Sequence, residues 1–428
     1  MDQSAQILVI GAGPAGMMAA IKAAESGAEV AVLEKNHLCG RKLAITGKGR
    51  CNITNTKPWS EFVTHVHPRG AFVRSAFYNF TNEATIEYFN KIGLETVVTQ
   101  GDRVFPSSMR AFDVVDALTG RMEQAGVKLV ADADLIAVSH EGGVYRCTYN
   151  DLSSPRTIKT QVIVAKALIV ATGGLSYPAT GSNGRGYEIA VSLGHSVTRC
   201  YPSLAALLPR NYDSGLYDIE LKNVGLSLFV GQDEVQTEMG DLTFTEDGIE
   251  GSLGFRVSRK AINALENGSS VELVIDLKPA VPLGELRERV KREVSSFNWE
   301  VPMINDARLK KVLRRFMPAE LIDPFFRLSK GLTVNTLAER LKAWHFPIAR
   351  HAGYRRAVVT AGGVSLDEVV PKTMQSKLEK GLFFAGEVLD IDGDTGGYNL
   401  QMAFSTGALA GQSAAKYVAA LKDGDLAS

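Results

Sequence analysis

The first 34 residues carry the feature that most constrains the fold of this chain. Residues 7–10 are apolar, which is typical of a buried strand, and Gly11, Gly13 and Gly16 follow at GxGxxG spacing. Residues 17–25 then predict a helix, and residues 29–33 predict a second strand that ends at Glu34. A strand, a glycine-rich turn, a helix and a second strand with a terminal acid are the parts of a dinucleotide-binding βαβ unit.

Each residue of this unit has a physical role toward a dinucleotide. Gly11 permits the tight turn, Gly13 lets backbone N–H groups approach a pyrophosphate, and Gly16 brings the helix close to the strand. The N-terminus of the helix faces the phosphates. Glu34 lies 18 residues beyond Gly16, where a carboxylate can accept hydrogen bonds from ribose hydroxyls. The sequence therefore predicts that the chain binds a dinucleotide.

The composition is that of an ordinary globular protein, and its positive and negative charges balance. Of 428 residues, 45% are hydrophobic and 22% are charged, and 47 Lys and Arg residues balance 47 Asp and Glu residues. We therefore expect neither a nucleic-acid partner nor a membrane partner. Because the first strand begins by Ile7, we expect no signal peptide and a cytoplasmic location. The four cysteines form no CxxC pair and the seven histidines show no metal-ligand spacing, so we expect no metal site.

The chain changes character twice, which predicts an insertion. Short strands alternate with turns between about residues 195 and 350, and residues 283–328 are helical and basic. The alternation of strand and helix returns after residue 350. We expect a cofactor domain in two parts, 1–194 and 351–428, a β-barrel insert in two parts, 195–279 and 331–350, and a helical insert at 280–330. We interpret the basic helices as solvated surface.

Two further motifs favour FAD as the dinucleotide. NAD-linked dehydrogenases usually continue with more βα repeats, whereas this chain passes through helices and antiparallel strands before Thr172, Gly173 and Gly174. That order, closed by Gly386 and Glu387, resembles flavoproteins with two dinucleotide-binding domains. The resemblance implies that the strand ending at Thr172 passes near the cofactor. It also implies that Glu387 approaches the ribityl or pyrophosphate portion.

A glycine-rich turn before the C-terminal helix predicts a contact with the flavin. Gly396 and Gly397 free the backbone to approach a flat ring, and residues 399–401 form a first helical turn with outward N–H groups. A reduced flavin carries negative charge near N1, which a helix N-terminus stabilises. Small residues keep the helix thin enough to pack beneath the cofactor: Ala403, Gly407, Ala408 and Gly411.

Three segments, residues 40–55, 173–182 and 386–401, carry a more specific resemblance. With the dinucleotide motif they resemble the BaiN/RdsA-like, or aminoacetone-oxidase-like, family of NAD(P)/FAD-dependent oxidoreductases. The resemblance implies an α/β fold, namely a Rossmann-like flavoprotein fold with two dinucleotide-binding domains, an inserted β-barrel and a small helical domain. Residues 248–254 are more similar to the aminoacetone-oxidase-like branch. The family covers several activities, so the substrate does not follow from the fold.

The loop after the second strand adds cations and backbone N–H groups for the pyrophosphate or the polar edge of the flavin. Its cysteine, Cys51, is expected to be a packing residue and not a redox nucleophile. The residues expected to contact the cofactor are Gly11, Gly13, Pro14, Ala15, Gly16, Glu34, Lys35, Arg41, Lys42, Gly49, Arg50, Cys51, Asn52, Thr172, Gly173, Gly174, Gly386, Glu387, Gly396, Gly397, Tyr398, Asn399, Leu400 and Gln401.

The expected function is a FAD-dependent oxidoreductase that transfers hydride to or from flavin N5. Its substrate, amine-like or enone-like, is a small molecule held between the FAD domain and the insert, and its redox partner is dioxygen or transiently bound NAD(P)H. The alternative is a FAD-binding protein that senses redox state or binds a partner without turnover. No catalytic base or oligomeric state is assigned. Candidates by residue type or place are Tyr177, Tyr398, His345, His351, Asp390, Asp392 and Asp394.

Overall fold

The computed structural model describes residues 3–154, 157–297 and 306–425, and the chain forms two units. The first unit combines Met1–Cys200 with Val359–Ser428, and the second unit spans Tyr201–Val358. Each unit has its own hydrophobic core.

The N-terminal part of the first unit contains ten strands and seven helices among its described residues. The strands are β1 (Gln3–Ile10), β2 (Val30–Leu33), β3 (Thr54–Asn55), β4 (Val66–His67), β5 (Thr96–Thr99), β6 (Arg103–Pro106), β7 (Lys128–Val130), β8 (Ala133–Glu141), β9 (Val144–Asp151) and β10 (Lys159–Val170). The helices are α1 (Pro14–Glu25), α2 (Thr46–Gly49), α3 (Trp59–Phe62), α4 (Arg74–Asn79), α5 (Asn82–Lys91), α6 (Ala111–Gln124) and α7 (Arg185–Ser192).

The second unit and the C-terminal part of the first unit complete the chain. The second unit contains β11 (Tyr201–Ser203), β12 (Leu207–Pro209), β13 (Glu220–Val230), β14 (Asp233–Thr245), β15 (Gly248–Glu250), α8 (Gly251–Glu266), β16 (Val271–Asp276), α9 (Leu283–Ser295), α10 (Asp306–Leu313), α11 (Ala319–Leu328), α12 (Val334–Lys342) and β17 (Trp344–His351). The first unit then resumes with β18 (Val359–Ala361), β19 (Leu382–Phe384), β20 (Asp392–Gly393) and α13 (Tyr398–Asp425).

The main sheet of the first unit has the order β7-β2-β1-β10-β9-β8, and β19 also pairs with β10. Strands β7, β2, β1, β10 and β19 are parallel, whereas β9 and β8 are antiparallel. The first half of β10 pairs with β9 and its last three residues pair with β19. The predicted Rossmann-like sheet with an antiparallel meander is therefore confirmed.

The C-terminal helix α13 packs closely on α1. A Cβ atom added to Gly407 would collide with the backbone carbonyl of Ala15, and one added to Gly411 would collide with that of Ala19. Glycines four residues apart lie on one face of a helix, so they let the two backbones approach. The contact with α1 thus accounts for the glycines at these two positions of α13.

The second unit is built around a closed barrel of six strands in the order β12-β15-β14-β13-β16-β17. Phe244, Trp344 and Phe346 pack within 6.0 Å of one another in its core, and Phe325 of α11 lies 5.0 Å from Trp344. The predicted inserted barrel and helical region are confirmed. Helices α8 and α12 were not predicted, because the glycines at the start of α8 are typical of turns.

Candidate functional site

The carboxyl ends of the parallel strands bring the predicted cofactor residues to one edge of the main sheet. Strands β1, β2, β10 and β19 end at Ile10, Leu33, Val170 and Phe384, and their registers place these ends side by side. The dinucleotide motif, Glu34, the Thr172 turn and Gly386 follow directly. Ligands of open α/β sheets bind at this edge.

The glycines of the dinucleotide turn have three different environments. A Cβ atom on Gly11, whose φ is +98°, would lie 2.8 Å from the carbonyl oxygen of Ala171, and one on Gly16 would overlap the carbonyl oxygen of Gly11. These two glycines therefore serve packing within the protein. A Cβ atom on Gly13, in contrast, meets no atom within 4 Å. Gly13 also begins α1 without a side-chain cap, so the helix N-terminus is open to an anion.

Glu34 is buried at the end of β2 and binds the glycine-rich turn. Its Oε2 atom accepts a hydrogen bond from the backbone N–H of Ala12 at 2.7 Å. Its Oε1 atom accepts from the backbone N–H of Asn36 at 2.9 Å and from the side-chain amide of Asn36 at 2.7 Å. A carboxylate offers about four acceptor positions, so Glu34 can also accept a ribose hydroxyl.

Lys42 and Glu387 form an ion pair that the sequence did not reveal. Lys42 Nζ lies 2.5 Å from Glu387 Oε2 and 3.0 Å from the hydroxyl oxygen of Ser176. Glu387 Oε1 accepts hydrogen bonds from the Ser176 hydroxyl at 2.7 Å and from the backbone N–H of Thr360 at 2.9 Å. Gly174 borders this network, since a Cβ atom there would lie 3.0 Å from Glu387 Oε1.

The other residues of the predicted loop differ in exposure. Lys35 is partly buried, whereas Gly49 is exposed. Arg41 is exposed and donates to the side-chain oxygen of Asn36 at 2.7 Å, and the exposed Arg50 lies over the ring of Phe105 at 5.7 Å.

Cys51 is fully buried in this loop. Burial raises its pKa to about 12 despite a hydrogen bond with Thr46. Its thiolate is therefore disfavoured, as expected for a packing residue.

The turn before α13 is held by the segment that follows this loop. With its amide oriented to satisfy both ends, Asn52 donates to the carbonyl of Thr54 at 2.8 Å and accepts from the N–H of Gly397 at 2.9 Å. Asn55 donates to the carbonyl of Gly396 at 2.9 Å. A Cβ atom on Gly397, whose φ is +90°, would lie 2.5 Å from the carbonyl oxygen of Thr54. The Thr54 backbone therefore already requires a glycine at this position. The approach of the same turn to the flavin stays a prediction.

Most polar groups at the start of α13 are used within the protein. Asn399 binds the N–H of Gly393 at 2.8 Å and its carbonyl at 2.7 Å. The fully buried Gln401 accepts from the Thr54 hydroxyl at 2.6 Å and donates to the carbonyl of Phe80 at 3.0 Å. The N–H of Gln401 reaches the carbonyl of Gly397 at 3.3 Å, so it is not the outward donor that we predicted. Leu400 is partly buried.

The remaining predicted glycines close the site from two sides. Gly386 has a φ of +77°, and a Cβ atom there would lie 2.7 Å from the Cβ atom of Ala15, next to Pro14. Gly173 has a φ of +71°, and a Cβ atom there would lie 3.3 Å from the hydroxyl oxygen of Ser182. Thr172 packs so closely on Gly186 that a Cβ atom on that glycine would overlap its hydroxyl.

A cluster of His65, His67, Asp394 and Tyr398 lies beside this turn. Asp394 Oδ2 is 2.8 Å from His65 Nδ1, and Asp394 Oδ1 is 3.4 Å from His67 Nε2. The rings of His65 and Tyr398 are stacked with centroids 4.6 Å apart. Burial opposes the ionisation of Asp394, but hydrogen bonds and charge from the two histidines outweigh it and lower its pKa to about 2.

The other candidates by residue type lie elsewhere. His345 and His351 belong to β17 of the second unit, where they pair with Glu272 at 3.3 Å and Glu266 at 3.0 Å. Tyr177 has a φ of +51° and precedes a short helical turn after Gly174. Asp392 is buried in β20, which pairs with β4. Sequence reasoning missed His65 and His67, because nothing in their spacing points to Asp394.

A family model described as "HI0933-like protein Rossmann domain" matches residues 5–413. The chain belongs to this HI0933-like family. The match spans both parts of the main sheet and the insert between them, and it confirms the resemblance predicted from the sequence. The predicted enzyme class, an oxidoreductase, is confirmed at this level.

Two relatives align with this HI0933-like chain over nearly its whole length. One is the 3-dehydro-bile acid delta(4,6)-reductase of Clostridium scindens, which is 30% identical over 96% of this chain and 99% of its own. The other is the ribosomal RNA dihydrouridine synthase of Haemophilus influenzae, 29% identical over 95% of this chain and 97% of its own. Among solved structures, the 3-ketosteroid delta1-dehydrogenase of Sterolibacterium denitrificans has the same fold, with a TM-score of 0.51, 12% identity and coverage of 97% and 100%.

Two further features of the described residues concern metal binding and membrane insertion. In residues 3–154, 157–297 and 306–425, no group of three or more His, Cys, Asp or Glu side chains is placed to hold a metal ion. None of the helices in this part of the chain is both long and apolar enough to cross a membrane.

Proposed function

We propose that this chain binds FAD at the carboxyl edge of the main sheet and reduces a carbon–carbon double bond conjugated to a carbonyl group, with NAD(P)H as the electron donor. The observation that carries the proposal is the open space at Gly13 beside the uncapped start of α1. In a chain whose other motif glycines are packed against backbone, this space suits a pyrophosphate. The site therefore fits the cofactor of the family.

The residues that would hold FAD follow from their positions. The N-terminus of α1 would receive the pyrophosphate, and Glu34 would accept a ribose hydroxyl. Lys42 and Glu387 would lie along the polar middle of the cofactor, where Lys42 can donate to a phosphate oxygen and Glu387 can accept from a hydroxyl group. FAD, when bound, supplies hydride chemistry at its flavin ring, and the protein supplies binding, orientation and electrostatics.

The names of the relatives favour reduction of a conjugated double bond over amine oxidation. The Clostridium scindens relative is named as a delta(4,6)-reductase of a 3-dehydro-bile acid, and the Haemophilus influenzae relative as a dihydrouridine synthase. Dihydrouridine is uridine with two hydrogens added across a double bond conjugated to a carbonyl. Both names therefore describe one type of bond. We extend this bond type, and not either molecule, to the present chain.

Charge pairing in the second unit favours a small molecule over RNA as the substrate. Arg287 pairs with Glu339 at 2.6 Å, and Lys310 pairs with Asp323 at 2.7 Å. Arg327 donates two hydrogen bonds to Asp213. Cations that already have carboxylate partners release fewer counterions on binding a phosphate backbone. These three pairs therefore make the basic helices a weaker RNA-binding surface than their number of cations alone suggests.

An anaerobic titration tests the proposal. The purified flavoprotein is mixed with NADPH, NADH or aminoacetone as the reductant, and the reduced flavin is then mixed with a 3-oxo-4,6-diene steroid, cyclohex-2-enone, uridine-containing RNA or dioxygen as the acceptor. We expect NAD(P)H to bleach the flavin absorbance. Of the acceptors, a conjugated enone should restore the spectrum of oxidised flavin most completely. Rapid reoxidation by dioxygen alone, with aminoacetone as reductant, would instead identify an oxidase. A flavin that no reductant or acceptor changes would identify the binding-protein alternative.

The cofactor assignment has its own test. Cofactor released by heat is identified by mass and should be FAD. Glu34→Ala should weaken FAD binding by about 1–3 kcal/mol, the scale for lost hydrogen bonds to a charged acceptor. Glu379→Ala is the control. Glu379 binds His140 and precedes the amino end of β19, whereas the predicted cofactor site lies at the carboxyl ends of the strands. Equal FAD affinity in the two variants would show that Glu34 does not bind the ribose.

A further inference from the structure

The His65–Asp394 pair has the geometry of a held proton donor. Asp394 Oδ2 binds Nδ1 of His65 at 2.8 Å, and the backbone N–H of Asp394 donates to the His65 carbonyl at 3.0 Å. The ring of Tyr398 lies against the imidazole at 4.6 Å with 24° between the planes. A carboxylate on one ring nitrogen and a stacked ring together fix both the tautomer and the plane of an imidazole.

The second ring nitrogen of His65 is available for chemistry. No described residue forms a hydrogen bond with His65 Nε2, and about a third of the side chain, 32%, is exposed. His67 takes the other oxygen of Asp394 at the longer distance of 3.4 Å. Phe62 packs edge-on against Tyr398, with ring centroids 5.1 Å apart. Because Nε2 of His65 has no hydrogen-bond partner among the described residues and the side chain is partly exposed, this nitrogen is available to a substrate.

The cluster stands beside residues that the sequence assigns to the cofactor. Strand β20, which precedes Asp394, pairs with β4, which contains His67. Asp394 is two residues before Gly396, whose carbonyl binds Asn55. The same turn therefore joins the histidine pair to the predicted cofactor loop. Charged groups on the neighbouring segments include Lys57, which forms ion pairs with Glu61 and Asp102 at 2.8 Å each.

A similar trio elsewhere in the first unit shows that the contacts alone do not define a site. His140 Nδ1 binds Glu379 Oε2 at 2.8 Å, and its ring stacks on Tyr145 at 4.2 Å. This trio includes β8, the last strand of the sheet order, and lies before the amino end of β19. Cofactors of such sheets bind at the carboxyl ends of the strands. His140 therefore has the same contacts as His65 but lies away from the predicted cofactor site.

We propose that His65 is the proton donor of the reduction and that Asp394 is the residue that positions it; this rests on the proposed function. Bound and reduced FAD would supply a hydride to the β carbon of the enone, and the electron pair of the double bond would take the proton of His65 Nε2 at the α carbon. The C=C bond would thereby become a single bond, FAD would be oxidised by two electrons, and the His65 imidazolium would become imidazole. Solvent then reprotonates the exposed ring.

The first experiment separates the two half-reactions of the intact flavoprotein. His65→Gln should leave flavin reduction by NADPH unchanged and slow reoxidation by cyclohex-2-enone by roughly 10²–10⁴-fold, the usual contribution of a general acid. Asp394→Asn should slow the same step by a smaller factor. His140→Gln makes the same chemical change in the control trio and should reoxidise at the wild-type rate. A His65→Gln enzyme as fast as wild type would overturn the inference and leave the proposed function standing. A wild-type enzyme that no enone reoxidises would overturn both.

The second experiment needs no turnover and uses the wild-type chain. Diethylpyrocarbonate modifies accessible imidazole nitrogens, and mass spectrometry locates the modified residues. Cyclohex-2-enone bound to the oxidised protein should protect His65 and leave the rate at His37 unchanged, since the His37 side chain is 82% exposed. Modification of His65 at the same rate with and without saturating enone would overturn the assignment. A third experiment follows turnover in D2O. Wild type should deliver deuterium to one face of the α carbon, and His65→Gln should lose that preference.

Discussion

Lys42 Nζ lies 2.5 Å from Glu387 Oε2, although 345 positions separate the two residues in the chain. Lys42 lies in the loop after β2, and Glu387 follows β19. The pair therefore connects the N-terminal and C-terminal parts of the first unit. Both side chains are mostly buried, at 22% and 18% exposure. Such a pair is costly to break from one side, because the remaining charge stays without its partner.

Removal of the Lys42 charge should therefore weaken both cofactor binding and folding. We expect Lys42→Met to lower FAD affinity by about 1–3 kcal/mol, since Glu387 loses a charged hydrogen bond and a nearby phosphate loses a cation. Reconstitution of apoprotein, followed by flavin fluorescence, measures the change. Lys291→Met is the control, because the Lys291–Glu288 pair is exposed and such pairs contribute about 0–1 kcal/mol. Equal losses in the two variants would contradict the placement of Lys42.

Gly13→Ala separates cofactor binding from folding. A Cβ atom at this position meets nothing within 4 Å and φ is −77°, so the free energy of unfolding of the apoprotein should change by no more than about 1 kcal/mol. The same methyl group would stand between the helix N-terminus and a pyrophosphate, so FAD affinity should fall at least tenfold. Urea denaturation and FAD titration measure the two quantities. Wild-type affinity in a stable Gly13→Ala protein would place the pyrophosphate elsewhere.

Gly397→Ala tests the contact between the α13 turn and β3. The new Cβ atom would meet the Thr54 backbone at 2.5 Å, so we expect a loss of unfolding free energy of about 2–4 kcal/mol, in the range of strained or overpacked sites. Gly93→Ala is the control. Gly93 has nearly the same φ as Gly397, +92° against +90°, but a Cβ atom there meets no atom within 4 Å. The control should lose only about 1 kcal/mol, the cost of the left-handed conformation. Similar losses would mean that the Thr54 contact carries no penalty.

Asp394 should contribute a pH-dependent term to stability. Its pKa is about 2 in the folded chain and about 4 in an unfolded one, so its contribution is complete above pH 4 and disappears as the pH falls through 2. The linkage is on the order of 2 kcal/mol. We expect the difference in unfolding free energy between wild type and Asp394→Asn to be smaller at pH 3 than at pH 5. A difference that grows toward pH 3 would contradict the depressed pKa.

The sequence predicts those parts of the site whose residues are consecutive. The dinucleotide turn, Glu34 and the strands around them follow from local pattern, because a buried strand and a following glycine motif need no distant partner. Ser176 and Thr360 could not be predicted as partners of Glu387, since side-chain hydrogen bonds between distant segments leave no periodic signal. His65 and His67 were missed for the same reason, as their partner is more than 300 positions away. The sequence singled out Gly397 for a flavin contact, which stays a prediction, but it could not show that the Thr54 backbone also requires a glycine there.

The contact of α13 with α1 also sets an order for biosynthesis. The backbone surfaces of Ala15 and Ala19, early in the chain, are covered by Gly407 and Gly411 near its other end. During translation, α1 therefore cannot pack on α13 until almost all of the chain has been synthesised. Residues 201–358 are contiguous and have a core of their own, so their contacts can form earlier. A nascent chain stalled before α13 should therefore expose α1 to proteases and chaperones, and it should acquire its flavin only after release.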